Sequence, residues 1–255
     1  MARMLTQGGQ LLCLFTLLIL GAAQAQSTSK VEVQLPQKTL HFDTNPRLLD
    51  VLRYTDHDHT TYWPAATLYR DSSDLQQRHQ QFLADLAELR AYYLAREQQS
   101  KANAIHLLLL QVRQWQLAER IDLAIDIDRA RTRIQYNPML DDGIYQLQLS
   151  SRPRFVFPVG LYRETAPLLH RRAGTVQDYL VSSYRLALAD RSRLLVIQPD
   201  GSMHTVGVAY WNREAFEPKP GAQLLVPFAE RALPRRFRHL NQTLVELAVH
   251  RVVIE

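Results

Sequence analysis

The composition of this 255-residue chain excludes several classes of protein before any motif is considered. Hydrophobic residues make up 46% of the chain, which is too much for a disordered secreted tail. The one cysteine, Cys13, lies in an N-terminal apolar segment, so the rest of the chain can form neither a disulfide nor a thiolate-ligated metal site. The formal net charge is +5, and much of the basic charge is arginine in the second half. This charge favours an acidic polysaccharide or phospholipid headgroups as partners, and a solvated surface is the alternative explanation.

The first 25 residues have the order of a secretory signal peptide. Arg3 supplies the positive charge, residues 11–20 form an apolar run, and residues 23–25 (Ala-Gln-Ala) form a small-residue cleavage site. The apolar run is too short to cross the ~30 Å hydrocarbon core of a bilayer as a permanent helix. We therefore predict cleavage after Ala25 and a periplasmic mature chain beginning at Gln26, with an uncleaved anchor as the alternative. This location excludes nucleic-acid partners and nucleotide-driven chemistry.

The first half of the mature chain predicts a small sheet with a helical hairpin inserted in it. Period-two alternation predicts strands over 31–35 and 38–42, with further strands over 67–70 and 144–149. Between them, two segments carry apolar residues at helical spacing, which predicts a hairpin of two antiparallel helices over about 72–118. A coiled-coil dimer is the competing interpretation. The helical positions are Leu75, His79, Phe82, Leu86, Leu89 and Tyr93, followed by Ile105, Leu108, Val112 and Trp115.

The second half predicts a β-grasp, or ubiquitin-like, sheet crossed by one helix. Its order is strand, strand, helix, strand, strand, strand, which gives an α+β layout. We therefore divide the chain into a signal peptide (1–25), a first β domain with the hairpin (26–150), a second β domain (151–230) and a C-terminal amphipathic helix (231–255).

The C-terminal segment combines an apolar stripe with clustered arginines. Pro234 stands where a helix can begin, and apolar residues follow it at helical spacing. Arginines in a first turn face the positive end of the helix dipole, which is unfavourable for an isolated helix. This placement suggests docking on a membrane surface or an acidic partner. The alternative, slightly favoured, is that the stripe packs on its own domain and the arginines are solvated. The docking residues are Arg235, Arg236, Phe237, Arg238, Leu240 and Leu244.

Five short motifs, specific only when taken together, point to one family. They are residues 63–69 (WPAATLY), 136–140 (YNPML), 196–201 (VIQPDG), 209–212 (AYWN) and 220–222 (PGA). On these motifs the mature chain resembles the GfcC-like capsule and exopolysaccharide biosynthesis family. Its second half also resembles the soluble-ligand-binding β-grasp module of bacterial polysaccharide export proteins.

The resemblance carries expectations about fold and function. It implies two β-grasp domains, a helical hairpin inserted in the first, and a C-terminal amphipathic helix. It also implies a periplasmic role in making or exporting surface polysaccharide, with a polysaccharide or outer-membrane polysaccharide export proteins as partners. Export channels of the related group carry a lipidated cysteine, whereas Cys13 lies too early to be lipidated. The chain is therefore not expected to be the channel itself.

Arg120 is the leading candidate for ligand binding. It lies between the hairpin and the apolar residues of segment 121–125, where an arginine needs either a partner or a cavity. In a cavity its guanidinium would contact a carboxylate or hydroxyl of a sugar. A structural ion pair with Asp122 or Asp126 is the alternative. The candidate aromatic walls of the sugar site are Trp63, Tyr69 and Trp115.

No motif indicates catalysis, a metal or a cofactor. The chain lacks a Gly-x-Ser-x-Gly elbow, and its paired aspartates fit caps and turns better than the facing carboxylates of a glycosidase. Asp56, His57, Asp58 and His59 form the best metal-like cluster, but no further ligand follows at a diagnostic spacing. We therefore predict a non-enzymatic accessory protein. The alternative is a polysaccharide lyase or hydrolase that uses Arg120 and nearby acids.

Tyr210, Trp211 and Asn212 allow two interpretations. The aromatic pair is suited to a platform for sugar binding. An aromatic pair at the end of a strand packs more often in a core, so core packing is the expected arrangement.

Overall fold

A computed structural model describes residues 30–55, 60–180 and 185–253. The predicted signal peptide and the cluster at residues 56–59 lie outside these ranges. The signal peptide therefore stays a prediction, and so does the absence of a metal site at that cluster. Within the described ranges, none of the helices combines the length and the apolar character that crossing a membrane requires.

The first sheet joins five strands in a mixed arrangement. Its order is β2-β1-β5-β3-β4. β1 runs parallel to β5 and the other neighbours are antiparallel. Val31 and Val33 are fully buried, whereas the intervening Glu32 is less buried, as alternation along a strand requires. The strands are β1 (Val31–Gln34), β2 (Thr39–Phe42), β3 (Thr67–Arg70), β4 (Glu119–Arg120) and β5 (Gly143–Gln148).

The second sheet repeats the connectivity of the first. Its order is β7-β6-β10-β8-β9, with β6 parallel to β10 and the other neighbours antiparallel. In both sheets the first strand lies between the second and the fifth. All four residues of β10 are buried, as expected for an apolar strand covered on both faces. The strands are β6 (Phe155–Gly160), β7 (Leu168–Leu169), β8 (Arg193–Ile197), β9 (Met203–Gly207) and β10 (Gln223–Val226).

Short helices accompany both sheets. α1 (Leu48–Leu52) lies between β2 and β3, and α5 (Val176–Tyr179) lies between β7 and β8. α4 (Ile127–Thr132) precedes β5 in a segment that sequence patterns leave ambiguous between helix and strand. Its start is explained by Asp126, whose Oδ1 accepts the backbone N–H groups of Asp128 and Arg129, both at 3.0 Å.

The helical hairpin consists of α2 (Ser73–Leu94) and α3 (Gln99–Arg113) and is inserted between β3 and β4. Ser72 caps α2 through its Oγ, which accepts the N–H of Leu75 at 3.3 Å. The buried residues of α2 are the six of the predicted seam, and α2 packs on α3 of the same chain. The prediction of a hairpin is therefore confirmed.

The hairpin packs with the second sheet, although the chain enters and leaves it from the first. Its apolar residues join the hydrophobic cluster built on β6, β8 and β10, whereas the first sheet has a separate, smaller cluster with α1 and α4. Gln111 of α3 fixes this contact, since its Oε1 accepts the N–H of Gly160 at 2.8 Å.

The C-terminal helix α6 (Leu240–Val249) starts later than Pro234 predicts. Residues Arg235–Phe237 form a separate 3-10 turn, so these arginines precede the α-helix and do not form its first turn. The three apolar residues proposed for docking, Phe237, Leu240 and Leu244, are buried in the cluster of the second sheet and the hairpin. The structure therefore favours the alternative interpretation, in which the apolar stripe packs on its own domain.

The arginines of the predicted docking segment stay at the surface. Arg235, Arg236 and Arg238 are exposed. Arg236 forms an ion pair with Glu88 of α2 at 3.0 Å. His239 makes a similar contact with Asp85, also at 3.0 Å. A docking role for the arginines stays a prediction, without a contribution from the apolar stripe.

Candidate ligand cleft between the two sheets

A small cleft lies where the two sheets and the C-terminal tail meet. Its volume is about 70 Å³, which is enough for a carboxylate group or a few waters but not for a whole sugar ring. The lining residues of the first sheet are Thr67, Tyr69, Arg120 and Gln148. Those of the second sheet and its turns are Phe157, Gln198, Pro199, Gly221 and Gln223, and those of the tail are Arg251 and Val253.

Tyr69 and Arg120 face each other across two paired strands. They are direct partners in the antiparallel pairing of β3 with β4. Tyr69 is buried at 3% exposure, and this burial raises the pKa of its phenol. The ring therefore stays neutral and forms a wall of the cleft.

The guanidinium of Arg120 reaches from the first sheet to the turn between β8 and β9. Its Nη2 donates a hydrogen bond to the carbonyl oxygen of Pro199. Gly201 permits this approach, because a Cβ at that position would lie 2.7 Å from Nε of Arg120. Gly201 also has φ of +88°, a conformation that favours glycine. The predicted turn at residues 199–201 thus forms one side of the cleft.

Burial also affects the charge of Arg120. Desolvation lowers the pKa of its guanidinium, and the negative charges of Asp200 and Asp122 oppose this shift. Asp200 itself is held by Ser202, whose hydroxyl donates to it at 2.6 Å, and by Lys219. The proposed ion pair with Asp126 does not form, because that carboxylate caps α4.

The backbone of Arg120 is fixed by the C-terminal tail. Its N–H donates to Nδ1 of His250 at 3.0 Å, so this imidazole accepts at Nδ1. Burial lowers the pKa of His250, which favours the neutral ring that this bond requires. The tail then pairs with the segment before β4, where Val252 N–H donates to the carbonyl of Gln116 at 2.9 Å.

Arg251 is a second arginine in the cleft. Its Nη1 donates to Oε1 of Gln223 at 3.3 Å, and its guanidinium carbon lies 5.8 Å from the centroid of the Trp115 ring. Burial lowers its pKa, and the nearby Tyr69 opposes that shift. Arg251 therefore brings a second partly desolvated positive charge to the same space.

Two of the four predicted ligand residues line the cleft, Tyr69 and Arg120. Trp115 is buried at 7% exposure and supports Arg251 from behind. Trp63 lies in a 3-10 turn (Trp63–Ala65) and packs against the cluster of the first sheet, away from the lining. Neither tryptophan is therefore an aromatic wall of this cleft.

Sequence reasoning missed Arg251 and the glutamines of the cleft. Gln198 and Gly221 stand inside two of the motifs that carry the family resemblance, so a signal for them was present. Arg251, Gln148 and Gln223 have no local signal, because long-range packing alone brings them together.

A larger groove lies beside α6 on the second sheet and contains none of the predicted ligand residues. Its volume is about 580 Å³, and it runs between β8, β9 and α6. Its walls are formed partly by Leu195, Met203, Val245 and Val249.

Comparison with known proteins identifies the family. Residues 25–152 match the profile described as "Capsule biosynthesis GfcC, N-terminal", and residues 165–253 match "Capsule biosynthesis GfcC C-terminal". The "Uncharacterized protein YjbG" of Escherichia coli (strain K12) is 29% identical over 194 residues, which cover 75% of this chain and 77% of that protein. The N-terminal match ends before β6, and the C-terminal match begins after that strand. The chain belongs to the GfcC capsule biosynthesis family.

Proposed function

We propose that the protein is a periplasmic accessory component of capsule or exopolysaccharide biosynthesis or export, and that its cleft binds an anionic group of the polysaccharide. Membership of the GfcC family supports the pathway. The A-x-A site at residues 23–25 supports the location, and we expect intact-mass measurement of the periplasmic protein to give an N-terminus at Gln26.

We propose further that each sheet, with its short helix, is a β-grasp domain. The shared order of strands and the parallel pairing of the first strand with the fifth support this assignment. Outer-membrane polysaccharide export proteins stay the expected protein partners.

One observation carries the ligand assignment. Arg120 and Arg251 line the same cleft, burial lowers the pKa of both, and neither forms an ion pair within the described part of the chain. A desolvated charge without a counter-ion is costly, so an anionic ligand that hydrogen-bonds both guanidinium groups would be favoured. The remaining amide atoms, Oε1 of Gln148 and Nε2 of Gln198, suit neighbouring hydroxyl groups, since Val253 and Lys219 already bond the other atom of each amide.

The cleft chemistry favours binding over cleavage. Its polar lining supplies guanidinium and amide groups, whereas glycoside hydrolysis requires two carboxyl groups about 5–10 Å apart across the bond. The carboxylates whose charge acts on Arg120 are those of Asp200 and Asp122. The carboxylate of Asp200 is already bound by Lys219 and Ser202.

Calorimetric titration with two oligosaccharides tests this proposal. We expect an oligomer of uronic acids to bind and an uncharged oligomer of the same length to bind much more weakly. Arg120→Met and Arg251→Met should each weaken binding by about 10- to 100-fold, since a hydrogen bond to a charged group contributes about 1.5–3 kcal/mol. Arg129→Met removes an exposed arginine from α4 and should leave binding unchanged.

Three outcomes would contradict the proposal. Equal binding of the charged and uncharged oligomers would exclude recognition of an anion by the cleft. A large loss of thermal stability in Arg120→Met, with no binding of the acidic oligomer to the unmodified protein, would show that Arg120 only holds the turn at Pro199. Progressive shortening of the polysaccharide by the purified protein, abolished by Arg120→Met, would instead support the lyase or hydrolase.

A further inference from the structure

An exposed aromatic pair projects from the second sheet, outside the cleft. Tyr210 and Trp211 follow β9 and are 92% and 78% exposed. The expectation that this pair packs in the core is therefore wrong. Among the large hydrophobic side chains described as exposed, the next is Ile134 at 70%. Two adjacent aromatic residues that remain in water call for an explanation, because isolated exposed apolar residues are ordinary but clustered ones mark contacts.

The turn that carries the pair is held firmly by Asn212. Its Oδ1 accepts the N–H of Ala209 at 3.0 Å, and its Nδ2 donates to the carbonyl of Ser192 at 3.0 Å. Gly207 is required beneath the turn, because a Cβ there would lie 1.8 Å from the carbonyl oxygen of Asn212. A defined backbone, anchored to the loop before β8, therefore directs both aromatic side chains outward.

Arginines occur in this turn's flanking segments. Arg213 follows it directly and is exposed. The anchoring loop contains Arg191, and Arg185 donates through Nη1 to the carbonyl of Arg191 at 2.9 Å. The acidic groups beside them are Glu214, which is exposed, and Asp190, whose carboxylate accepts hydrogen bonds from Ser192 and Arg193. The charge around the turn is thus weakly positive.

We propose that Tyr210 and Trp211 insert into the headgroup region of a lipid bilayer containing anionic lipids and attach the protein peripherally to it. Tyrosine and tryptophan are enriched at this depth of membranes because each combines an apolar ring with a polar atom that stays hydrated. Arg213 and its neighbours would then lie at the level of the phosphates. This inference goes beyond the proposed function and is independent of the ligand of the cleft.

A membrane suits this turn better than a sugar or a protein does. A ring that is 92% exposed has no packed face, so Tyr210 is not a preorganised floor on which a sugar could stack. Two aromatic side chains bury about 150–250 Å² each, which is below the roughly 800 Å² that each partner buries in a stable protein complex. Weak, reversible insertion into a membrane requires no more buried area than these two side chains supply.

Co-sedimentation with vesicles tests the inference. The vesicles contain phosphatidylethanolamine and phosphatidylglycerol in a ratio of 3:1. We expect the unmodified protein to bind them, and the Tyr210→Ser, Trp211→Ser double variant to bind at least about tenfold more weakly, because both residues that enter the interface are removed. Ile134→Ser removes a comparably exposed apolar residue from the first half of the chain and should change binding by less than about twofold.

Tryptophan fluorescence supplies a second readout, independent of sedimentation. Lipids brominated on the upper part of the acyl chain should quench tryptophan emission, and Trp211→Phe should abolish the quenching, since Trp63 and Trp115 are at least partly buried. Absence of both vesicle binding and quenching would overturn the inference. Equal vesicle binding by the double variant would also overturn it. Loss of polysaccharide binding in the double variant, without vesicle binding by the unmodified protein, would assign the turn to the sugar instead.

Discussion

The two sheets share their order of strands but differ in what completes their cores. The first is covered by the short helices α1 and α4, whereas the second is covered by the hairpin and by α6. The hairpin is inserted in the chain of the first sheet, yet its apolar face packs with the second. Position in the chain therefore does not decide which core an insertion completes. The hairpin ties the two halves together, and the cleft lies where they meet.

Removal of the C-terminal segment should destabilise the second sheet more than any of the substitutions below. Deleting residues 235–255 removes Phe237, Leu240, Leu244 and Leu247, each at most 3% exposed. Burial of such a side chain contributes about 1.5–3 kcal/mol, so the sum approaches the whole stability of a typical domain. We expect the second sheet to unfold, measured as lost amide-exchange protection in β6 and β10. An unchanged melting temperature would show instead that α6 is a detachable docking helix.

A cavity in the hairpin should affect the second sheet more than the first. Leu86 is fully buried in α2, and Leu86→Ala should cost about 2–5 kcal/mol. Amide exchange should become faster in β10 than in β5, although the hairpin interrupts the chain of the first sheet. Val33→Ala in β1 is the matched control and should show the reverse pattern. Equal loss of protection in both sheets would contradict the assignment of the hairpin to the second core.

The contact between the two halves should be weakened when a side chain is added at Gly201. Gly201→Ala combines a strained φ with a clash against Arg120 and should destabilise the protein by about 1–3 kcal/mol. Because Arg120→Ala removes the clashing Nε and its neighbouring atoms, the double variant of Gly201→Ala and Arg120→Ala should lose less than the sum of the two single variants, as measured by urea unfolding. Additive losses would show that the close approach of Arg120 has no energetic consequence.

A smaller effect is expected from His250, which links the tail to β4. Its folded-state pKa lies below the ordinary value of 6.5, chiefly because of burial. The unfolded chain therefore takes up the proton first, so the contribution of His250 to stability is complete above about pH 6.5 and decreases as the pH falls towards the folded-state pKa. Glu246 and Glu119 act against the shift, and Arg78 and Arg120 act with it. The difference between urea midpoints at pH 7.5 and pH 5.5 should be smaller in His250→Gln than in the unmodified protein, and an equal difference would contradict this account.

Local patterns in the sequence predicted local structure well. The six buried positions of α2 follow from helical spacing, and the turn at residues 199–201 follows from turn chemistry. Both occur in the structure. Tyr69 and Arg120, both proposed as ligand residues, line the same cleft because adjacent strands bring them together, and their binding role stays a prediction.

Properties that depend on distant packing could not be read from the sequence. Arg251 enters the cleft because the tail returns to the segment before β4, and nothing near Arg251 indicates this. The exposure of Trp211 contradicts its apolar character, because the fold of the turn, not hydrophobicity, decides where that ring points. The delayed start of α6 has the same origin, since Arg235–Phe237 form a separate turn packed against the hairpin.

The most direct test of the proposed cleft is a titration followed by NMR at the Nε–H groups of the arginines. Glucuronate and glucose have similar rings, but only glucuronate carries a carboxylate. We predict that glucuronate shifts the Nε–H resonances of Arg120 and Arg251, that glucose does not, and that the exposed Arg129 responds to neither. Shifts confined to exposed arginines, or identical shifts with both sugars, would contradict a cleft built to bind an anionic group.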